Sequence, residues 1–524
     1  MIKYIFKNIS NFLVFIAFTF FSLVCSEMIM RVIDGYPLFC LKLGDKPKPK
    51  IFITDKTQAS KYLKNIPLKE NYDIDLFLDD PPLLPTNQPD IFLMSLFKKA
   101  QNSRVPWISA YAIKEWNKFF LVYLIEKGEF CNNDFNQYPS ETVIFEPCEN
   151  SFFPYYRFPQ NVTMPTGLVT NNFGWRGHEL KLNKPENTIR LCFLGASTTV
   201  GSHNFPHSYP EFIEHWLNVW AKNNRLNIRF EIMNTAREAT ASSDIEAIFR
   251  QEAAFLEPDI VIYYEGANQF HHFNELLKTV KTSPPDFGSK EQGILFIVNK
   301  TQKYSAMGRR LKELLLKIYK KDFLSEPPKP NYILEFPVGI DEYNPDIFKN
   351  NLPLDLSTIL RDLDSIHKNA DRMGCQFVLT SFIYLPYKGL IFERTRQQLM
   401  YNYINRMFWP LTYSDIKRLA DFQNRVFSLY AIANHIDFID VSYFFPRDSD
   451  LFIDTVHFTE DGMRIQAWIT FQGLLPIIRK SIESGKLPRP DQEYIMEHPC
   501  IRKGMRNGFS LLKEAANGKE NSLK

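Results

Sequence analysis

The sequence predicts an α/β protein built on a doubly wound parallel sheet, with an apolar helix at its N-terminus. From Thr188 onward, short apolar runs alternate with amphipathic stretches. Strands that alternate with helices pair in parallel, and their crossovers cover both faces of the sheet. Before this region lie a Pro- and aromatic-rich segment and, first of all, a long apolar segment. A chain of 524 residues is expected to hold one large domain and a smaller one.

The N-terminal apolar segment predicts a membrane anchor. The stretch ISNFLVFIAFTFFSLVCSEMIMRVI has about the length that crosses a bilayer as one helix, and Gly35-Tyr36-Pro37 follows it. Residues 1–37 are therefore predicted to form a tail and a transmembrane anchor. A cleaved signal peptide and a lipoprotein modified at Cys25 are the alternatives. The apolar region is longer than the usual signal-peptide core, and Val24 stands where a lipoprotein needs a small residue. The flanking charges leave the orientation open.

The segment 38–185 predicts an irregular membrane-proximal domain, because its prolines leave little helical periodicity. A net charge of +3 without a long Lys/Arg run argues against a nucleic-acid partner. The seven cysteines form no CxxC pair, and His271-His272 has no third ligand at suitable spacing, so neither a metal nor a cofactor is indicated. Cys131 and Cys148 could form one disulfide. The polar stretch 486–524 is predicted to be a C-terminal tail.

The α/β domain is predicted to cover residues 186–485. Its strand-like runs are IRLCFLG, IRFEIMN, PDIVIYYEG, CQFVLTSFIYLP and IDFIDV. Ligands of such sheets bind outside the carboxyl ends of the strands, so the residues after each run are the candidates for a site. Two insertions, about 270–353 and 384–411, are expected beside that edge. Their aromatic content suits an acyl-chain groove or a sugar-stacking platform.

The first strand run leads into Gly195-Ala196-Ser197-Thr198-Thr199. A phosphate loop would need a GK[ST] ending, and the nucleophile elbow of α/β-hydrolases would need glycine at Thr199. A plain helix N-cap is the alternative. Much later, Asp454 precedes His457 by three residues in a predicted loop. An aspartate at this spacing can orient the imidazole, whose other nitrogen can take a proton from serine.

Four blocks in the order Ser, Gly, Asn, His resemble the SGNH (GDSL-type) hydrolases. They are LGAST, NTAREATAS, EGANQ and DTVHFTEDG, within residues 188–480, and each follows a predicted strand. The lead-in TGLVTNNFGWRGHELKLNKPENTIRL is similar to that of membrane-anchored bacterial members. The resemblance implies a flavodoxin-like three-layer α/β/α sheet that carries a serine esterase site.

The resemblance assigns a role to each block. Ser197 is the expected nucleophile, and its backbone N–H is one oxyanion donor. Ala239 and Asn268 are the expected second and third donors, through a backbone N–H and a side-chain amide. His457 is expected to act as general base and acid, with Asp454 holding it. Without the resemblance, Asn268 could be an ordinary turn residue and the Asp454–His457 pair a surface ion pair.

Two alanines depart from the family pattern. Ala196 replaces an aspartate that is outside the triad. Ala239 replaces a glycine, and alanine resists a positive φ, so the oxyanion hole could be misaimed. The resemblance implies a membrane-anchored, extracytoplasmic (periplasmic) esterase that hydrolyses acyl or acetyl esters of lipid or cell-envelope polysaccharide through an acyl-serine. An O-acyltransferase with the same triad and a catalytically silent binding protein remain alternatives.

Overall fold

A computed structural model describes fifteen stretches of the chain. These are residues 2–33, 38–39, 56–63, 66, 74–84, 163, 167–181, 183–201, 205–237, 240–270, 276, 304–318, 334–386, 408–411 and 413–489. The chain forms two compact units, each discontinuous in sequence. The first comprises Met1–Thr54, Lys281–Asn331 and Gly389–Thr412, and the second comprises Asp55–Val280, Tyr332–Lys388 and Tyr413–Lys524.

The second unit contains a five-stranded, wholly parallel sheet. Its strands are β1 (Thr188–Gly195), β2 (Arg229–Asn234), β3 (Ile260–Tyr264), β4 (Gln376–Thr380) and β5 (Asp437–Ile439). Their order is β2-β1-β3-β4-β5, the arrangement of flavodoxin-like doubly wound sheets. The predicted α/β class is therefore confirmed, and all five strand runs contain a strand.

The helices were expected between the strand runs, and most lie there. In chain order they are α1 (Ile2–Ile33), α2 (Lys56–Leu63), α3 (Ile74–Leu78), α4 (Ser197–Val200), α5 (Tyr209–Asn223), α6 (Ser242–Ile248), α7 (Ala306–Ile318), α8 (Leu356–Arg372), α9 (Tyr413–Ala433), α10 (Val441–Phe444) and α11 (Glu460–Glu483). After α6 the chain continues through a π-helical turn and a 3-10 turn to Leu256. Another 3-10 turn, Ser449–Leu451, precedes the loop before α11.

The core lies on both faces of the sheet. Every residue of β1 and β3 is buried, as expected for central parallel strands covered on both sides. Helix α5 packs against α11, where the rings of Trp216 and Trp468 meet edge to face with centroids 5.2 Å apart. Helix α8 packs against α6 and α9. Two groups of helices thus enclose the sheet and leave its carboxyl edge to the loops.

Parts of the predicted membrane-proximal segment belong to the same compact unit as the sheet. Phe77 of α3 is buried against Trp468 of α11, with ring centroids 5.4 Å apart. Arg464 of α11 donates a hydrogen bond of 2.8 Å to the Phe77 carbonyl. The predicted domain boundaries remain predictions, because most of 38–185 and of the two insertions lies outside the described residues, as do Cys131 and Cys148.

In the first unit, α1 and α7 contact each other through a carboxylate cap. Glu27 of α1 accepts hydrogen bonds from Ser305 Oγ (2.7 Å) and from the backbone N–H groups of Ala306 and Met307 (2.8 and 3.1 Å). It therefore satisfies donors at the N-terminus of α7. Within the part of the chain that the structure describes, no helix has both the length and the hydropathy needed to span a bilayer.

Candidate active site

Ser197 lies at the carboxyl end of β1 as the first residue of the short helix α4. Gly195 permits this turn, because a Cβ at that position would collide with the Tyr264 carbonyl oxygen and the Thr199 side chain. The Thr199 hydroxyl donates to the same carbonyl at 3.2 Å and ties α4 to β3. As the first helical residue, Ser197 has a backbone N–H with no acceptor inside the helix. The turn thus presents a hydroxyl and an N–H at one place.

His457 lies in a short loop between the 3-10 turn and α11. An antiparallel bridge between Phe452 and Phe458 closes this loop, and their rings pack with centroids 5.1 Å apart. Asp454 stabilises the loop, because its Oδ1 accepts the backbone N–H groups of Val456 and His457, both at 2.9 Å. The imidazole is therefore presented by a locally closed loop.

The structure brings Ser197, His457 and Asp454 together, although Ser197 and His457 are 260 residues apart in the chain. The His457 Nε2 lies 2.8 Å from Ser197 Oγ, and its Nδ1 lies 2.8 Å from Asp454 Oδ2. Both distances are those of strong hydrogen bonds. With the proton on Nδ1 shared with the carboxylate, Nε2 is the free base that faces the hydroxyl. This is the arrangement that activates a serine for nucleophilic attack.

The electrostatics keep Asp454 ionised. Burial disfavours its charge, but the attraction of His457 and hydrogen bonds from the imidazole and two backbone N–H groups lower its pKa from 3.8 to about 2. At neutral pH the residue is a carboxylate, so it can accept the Nδ1 proton and stabilise an imidazolium. His457 and Asp454 side chains are 25% and 16% exposed, so a substrate can reach the pair from solvent.

Asn268 lies in the turn after β3 and is held at both ends. Its backbone N–H donates to Glu265 Oε1 at 2.8 Å, and its side-chain Nδ2 donates to the Thr240 carbonyl at 2.8 Å. An amide nitrogen carries two N–H groups, so this contact leaves the second one for another acceptor. Ala239, the other expected donor, is outside the described residues. Its role in the oxyanion hole stays a prediction.

Several residues that support this edge were not foreseen from the sequence. Arg176, in the lead-in to β1, is 1% exposed and donates to Glu211, to the Val200 carbonyl (3.1 Å) and to the Phe205 carbonyl (2.8 Å). It therefore fixes the C-terminal end of α4, the helix that starts at Ser197. In the sequence, the one feature that pointed to Arg176 was its position within an aromatic-rich lead-in. Tyr384, after β4, donates to the Gly266 carbonyl at 2.8 Å and was also missed.

Within the described ranges, no group of three or more His, Cys, Asp or Glu side chains is placed to hold a metal ion. His271 and His272 are not among the described residues.

Comparisons with known proteins give resemblances of low similarity. No protein-family model and no curated protein sequence matches this chain. Matching solved structures include a GDSL-like lipase from Bacteroides thetaiotaomicron, with 13% identity, a TM-score of 0.27 and coverage of 56% of this chain and 88% of that one. A lipase/acylhydrolase from Enterococcus faecalis matches with 12% identity, a TM-score of 0.28 and coverage of 55% and 95%. An acetyl xylan esterase variant from Geobacillus stearothermophilus matches with 12% identity, a TM-score of 0.30 and coverage of 55% and 94%. At such TM-scores the alignments establish neither fold nor activity.

Proposed function

We propose that this protein is a serine ester hydrolase of the SGNH type. The observation that carries the proposal is the continuous hydrogen-bond chain from Ser197 through His457 to Asp454, with 2.8 Å at each imidazole nitrogen. A serine hydroxyl is a weak nucleophile until a base removes its proton, and the base works best when a third group fixes its tautomer. If Asp454 and His457 formed only a surface ion pair, or if Ser197 were only a helix cap, no serine would be needed at the second imidazole nitrogen.

The mechanism follows from the positions of these atoms. Ser197 Oγ attacks the ester carbonyl carbon while His457 Nε2 takes the hydroxyl proton. The carbonyl oxygen becomes an oxyanion, which accepts hydrogen bonds from the Ser197 N–H and from the Asn268 amide. The imidazolium then protonates the leaving alcohol and an acyl-serine remains. A water molecule, deprotonated by the same nitrogen, attacks this ester, releases the carboxylic acid and restores the hydroxyl.

The proposed substrates are acyl or acetyl esters of lipid or cell-envelope polysaccharide. We also propose that the chain is held at a membrane through α1, with the hydrolase unit on the extracytoplasmic side. The apolar segment at 9–33 supports tethering, and Phe15, Phe18 and Phe20 of α1 are exposed. Alkaline carbonate extraction of membranes tests this. The full chain is expected in the pellet and a deletion of residues 1–37 in the supernatant, whereas a soluble full chain would refute tethering.

Covalent labelling with a fluorophosphonate tests the catalytic proposal. The wild-type chain is expected to gain one phosphonyl group at Ser197, as measured by intact mass and peptide mapping, because the reagent needs an activated serine. Ser197→Ala and His457→Ala are expected not to label. Ser243 lies on α6, and its hydroxyl donates to Asp362 on α8. Ser243→Ala therefore removes a serine hydroxyl away from the triad and serves as the matched control that labels fully.

Each outcome of the labelling has a clear meaning. A folded wild-type chain that stays unlabelled would refute the hydrolase and favour a silent binding protein. Labelling at Ser197 would justify turnover assays with acetylated glycans and lipid esters. Product release that depends on a sugar acceptor, with water alone inactive, would show transfer of the acyl group instead of hydrolysis.

A further inference from the structure

A buried glutamate lies at the start of the turn that carries Asn268, the expected oxyanion donor. Glu265 follows the last residue of β3 and is 2% exposed. Its Oε1 accepts the backbone N–H of Asn268 at 2.8 Å, and the neighbouring N–H groups of Gly266 and Ala267 also favour its charge. One side chain therefore binds the backbone of the residue that carries the expected oxyanion donor.

This carboxylate is an unfavourable group to bury. Desolvation raises the pKa of Glu265 from 4.5 to about 7, although the three backbone N–H groups and the attraction of His457 oppose the increase. A glutamine would accept hydrogen bonds from the same turn without the cost of burying a charge. The turn alone therefore does not explain an ionisable group at this position.

Other residues also hold the 266–268 turn, so its position is closely defined. The Tyr384 hydroxyl donates to the Gly266 carbonyl at 2.8 Å, and a Cβ on Gly266 would collide with the Gln423 side chain. Asn268 is fixed at its backbone by Glu265 and at its amide by the Thr240 carbonyl. A change at the carboxylate therefore moves the Asn268 amide relative to the serine.

We propose that Glu265 is a positioning residue for ester hydrolysis, which holds the 266–268 turn so that Asn268 donates to the oxyanion, and whose charge stabilises the imidazolium of His457. This rests on the proposed function. Glu265 does not touch the reacting atoms and acts through Asn268 and His457. Ionised, it accepts the Asn268 N–H in a charge-assisted hydrogen bond, and it adds a second negative charge, beyond Asp454, that favours the imidazolium.

The groups that interact electrostatically with Glu265 come from several elements. Tyr263 and Tyr264 lie on β3, Tyr384 follows β4, and His457 precedes α11. Burial raises the pKa of all three tyrosines well above 10, so they stay neutral throughout an assay between pH 5 and pH 9. Glu265 itself, with a pKa of about 7, changes its charge within that range.

Two variants of the full chain test the charge and the side-chain length of Glu265 separately. Glu265→Gln keeps the length and one accepting oxygen but removes the charge. With an aryl acetate as substrate, its kcat is expected to be roughly 10- to 100-fold below that of wild type, and its KM to stay within a few-fold. The acid limb of its kcat/KM profile is expected to move to lower pH by about half a unit or more. Glu265→Asp keeps the charge and shortens the reach, so kcat falls while the acid limb stays near that of wild type.

A matched control is available on β2. Glu231 is also buried and pairs with Arg190, so Glu231→Gln disturbs a buried carboxylate away from the triad. It is expected to lower the unfolding temperature and leave the acid limb unchanged. Wild-type kcat and pH profile in both Glu265 variants would overturn the role of Glu265 alone. Failure of wild type to label at Ser197 with a fluorophosphonate would overturn the hydrolase and this proposal with it.

Discussion

Replacing Asp454 by asparagine tests how the imidazole is held. The Oδ1 atom accepts two backbone N–H groups at 2.9 Å, and Oδ2 faces His457 Nδ1 at 2.8 Å. An asparagine oxygen can keep the two backbone contacts, which turns its NH₂ group toward Nδ1. Two N–H donors cannot bind each other, so the imidazole must carry its proton on Nε2. That nitrogen then cannot accept the proton of Ser197.

The size of the effect follows from the lost charge. When His457 becomes an imidazolium, the carboxylate attracts it across 2.8 Å, measured between Nδ1 and Oδ2. Charges about 3 to 4 Å apart attract by about 4 to 6 kcal/mol at an effective dielectric constant near 20. Since about 1.4 kcal/mol is a tenfold change in rate, the expected loss in kcat is roughly 10³- to 10⁴-fold. The altered tautomer acts in the same direction.

Steady-state hydrolysis of an aryl acetate, together with the rate of fluorophosphonate labelling at Ser197, measures this loss. Asp440→Asn is the matched control, because Asp440 also accepts a backbone N–H and a side-chain hydroxyl at the start of a short helix. The control is expected to stay within a few-fold of wild type. An Asp454→Asn enzyme that is folded and within tenfold of wild type would refute the orienting role of Asp454.

Three further predictions concern neighbouring groups. Asn268→Ala is expected to lower kcat by about 10²- to 10³-fold in steady-state assays, because the oxyanion loses a donor. It is also expected to lower the unfolding temperature, because the Thr240 carbonyl loses its donor. An unchanged kcat would exclude Asn268 from the oxyanion hole. Arg176→Ala leaves the Glu211 carboxylate buried without its guanidinium partner. It is expected to lower the free energy of unfolding in urea by about 3 to 5 kcal/mol. A decrease below about 1 kcal/mol would contradict the predicted role of this pair. The folded-state pKa of Asp454 is depressed from 3.8 to about 2, so its contribution of about 2 kcal/mol is present above pH 4 and lost as the pH falls toward 2. Urea midpoints at pH 5 and pH 3 should show a smaller decrease for Asp454→Asn than for wild type, and equal decreases would contradict the pKa.

The strand pattern predicted the sheet but not where β4 ends. The run CQFVLTSFIYLP continues past β4, which stops at Thr380, because the backbone beyond it binds side chains. The Phe382 N–H donates to Asn424 Oδ1 at 2.7 Å, and the Phe382 carbonyl accepts from Asn424 Nδ2 at 2.8 Å. Such partners come from distant elements, so apolar periodicity contains no information about them. Apolar character alone therefore overestimates strand length at the edge where the site forms.

The candidate site shows the same division between local and distant signals. Asp454 and His457 are three residues apart, so their pairing was predictable from local spacing. Their meeting with Ser197 required the resemblance, since 260 residues separate the two blocks. Arg176 and Tyr384 were missed because each looks like an ordinary residue of a loop or strand end. Their importance depends on carbonyl groups that face them only in the folded chain.

Strand register explains why the nucleophile and the expected oxyanion donor lie at the same edge of the sheet. In the pairing of β1 with β3, Gly195 lies opposite Tyr264, so both strands end at the same level of the sheet. The chain then needs two residues to reach Ser197 on one side and four to reach Asn268 on the other. A shift of one residue in this register would turn the side chains of β3 to the opposite face and move the turn away from the serine. The buried apolar residues of β1 and β3 therefore determine the geometry of the candidate site.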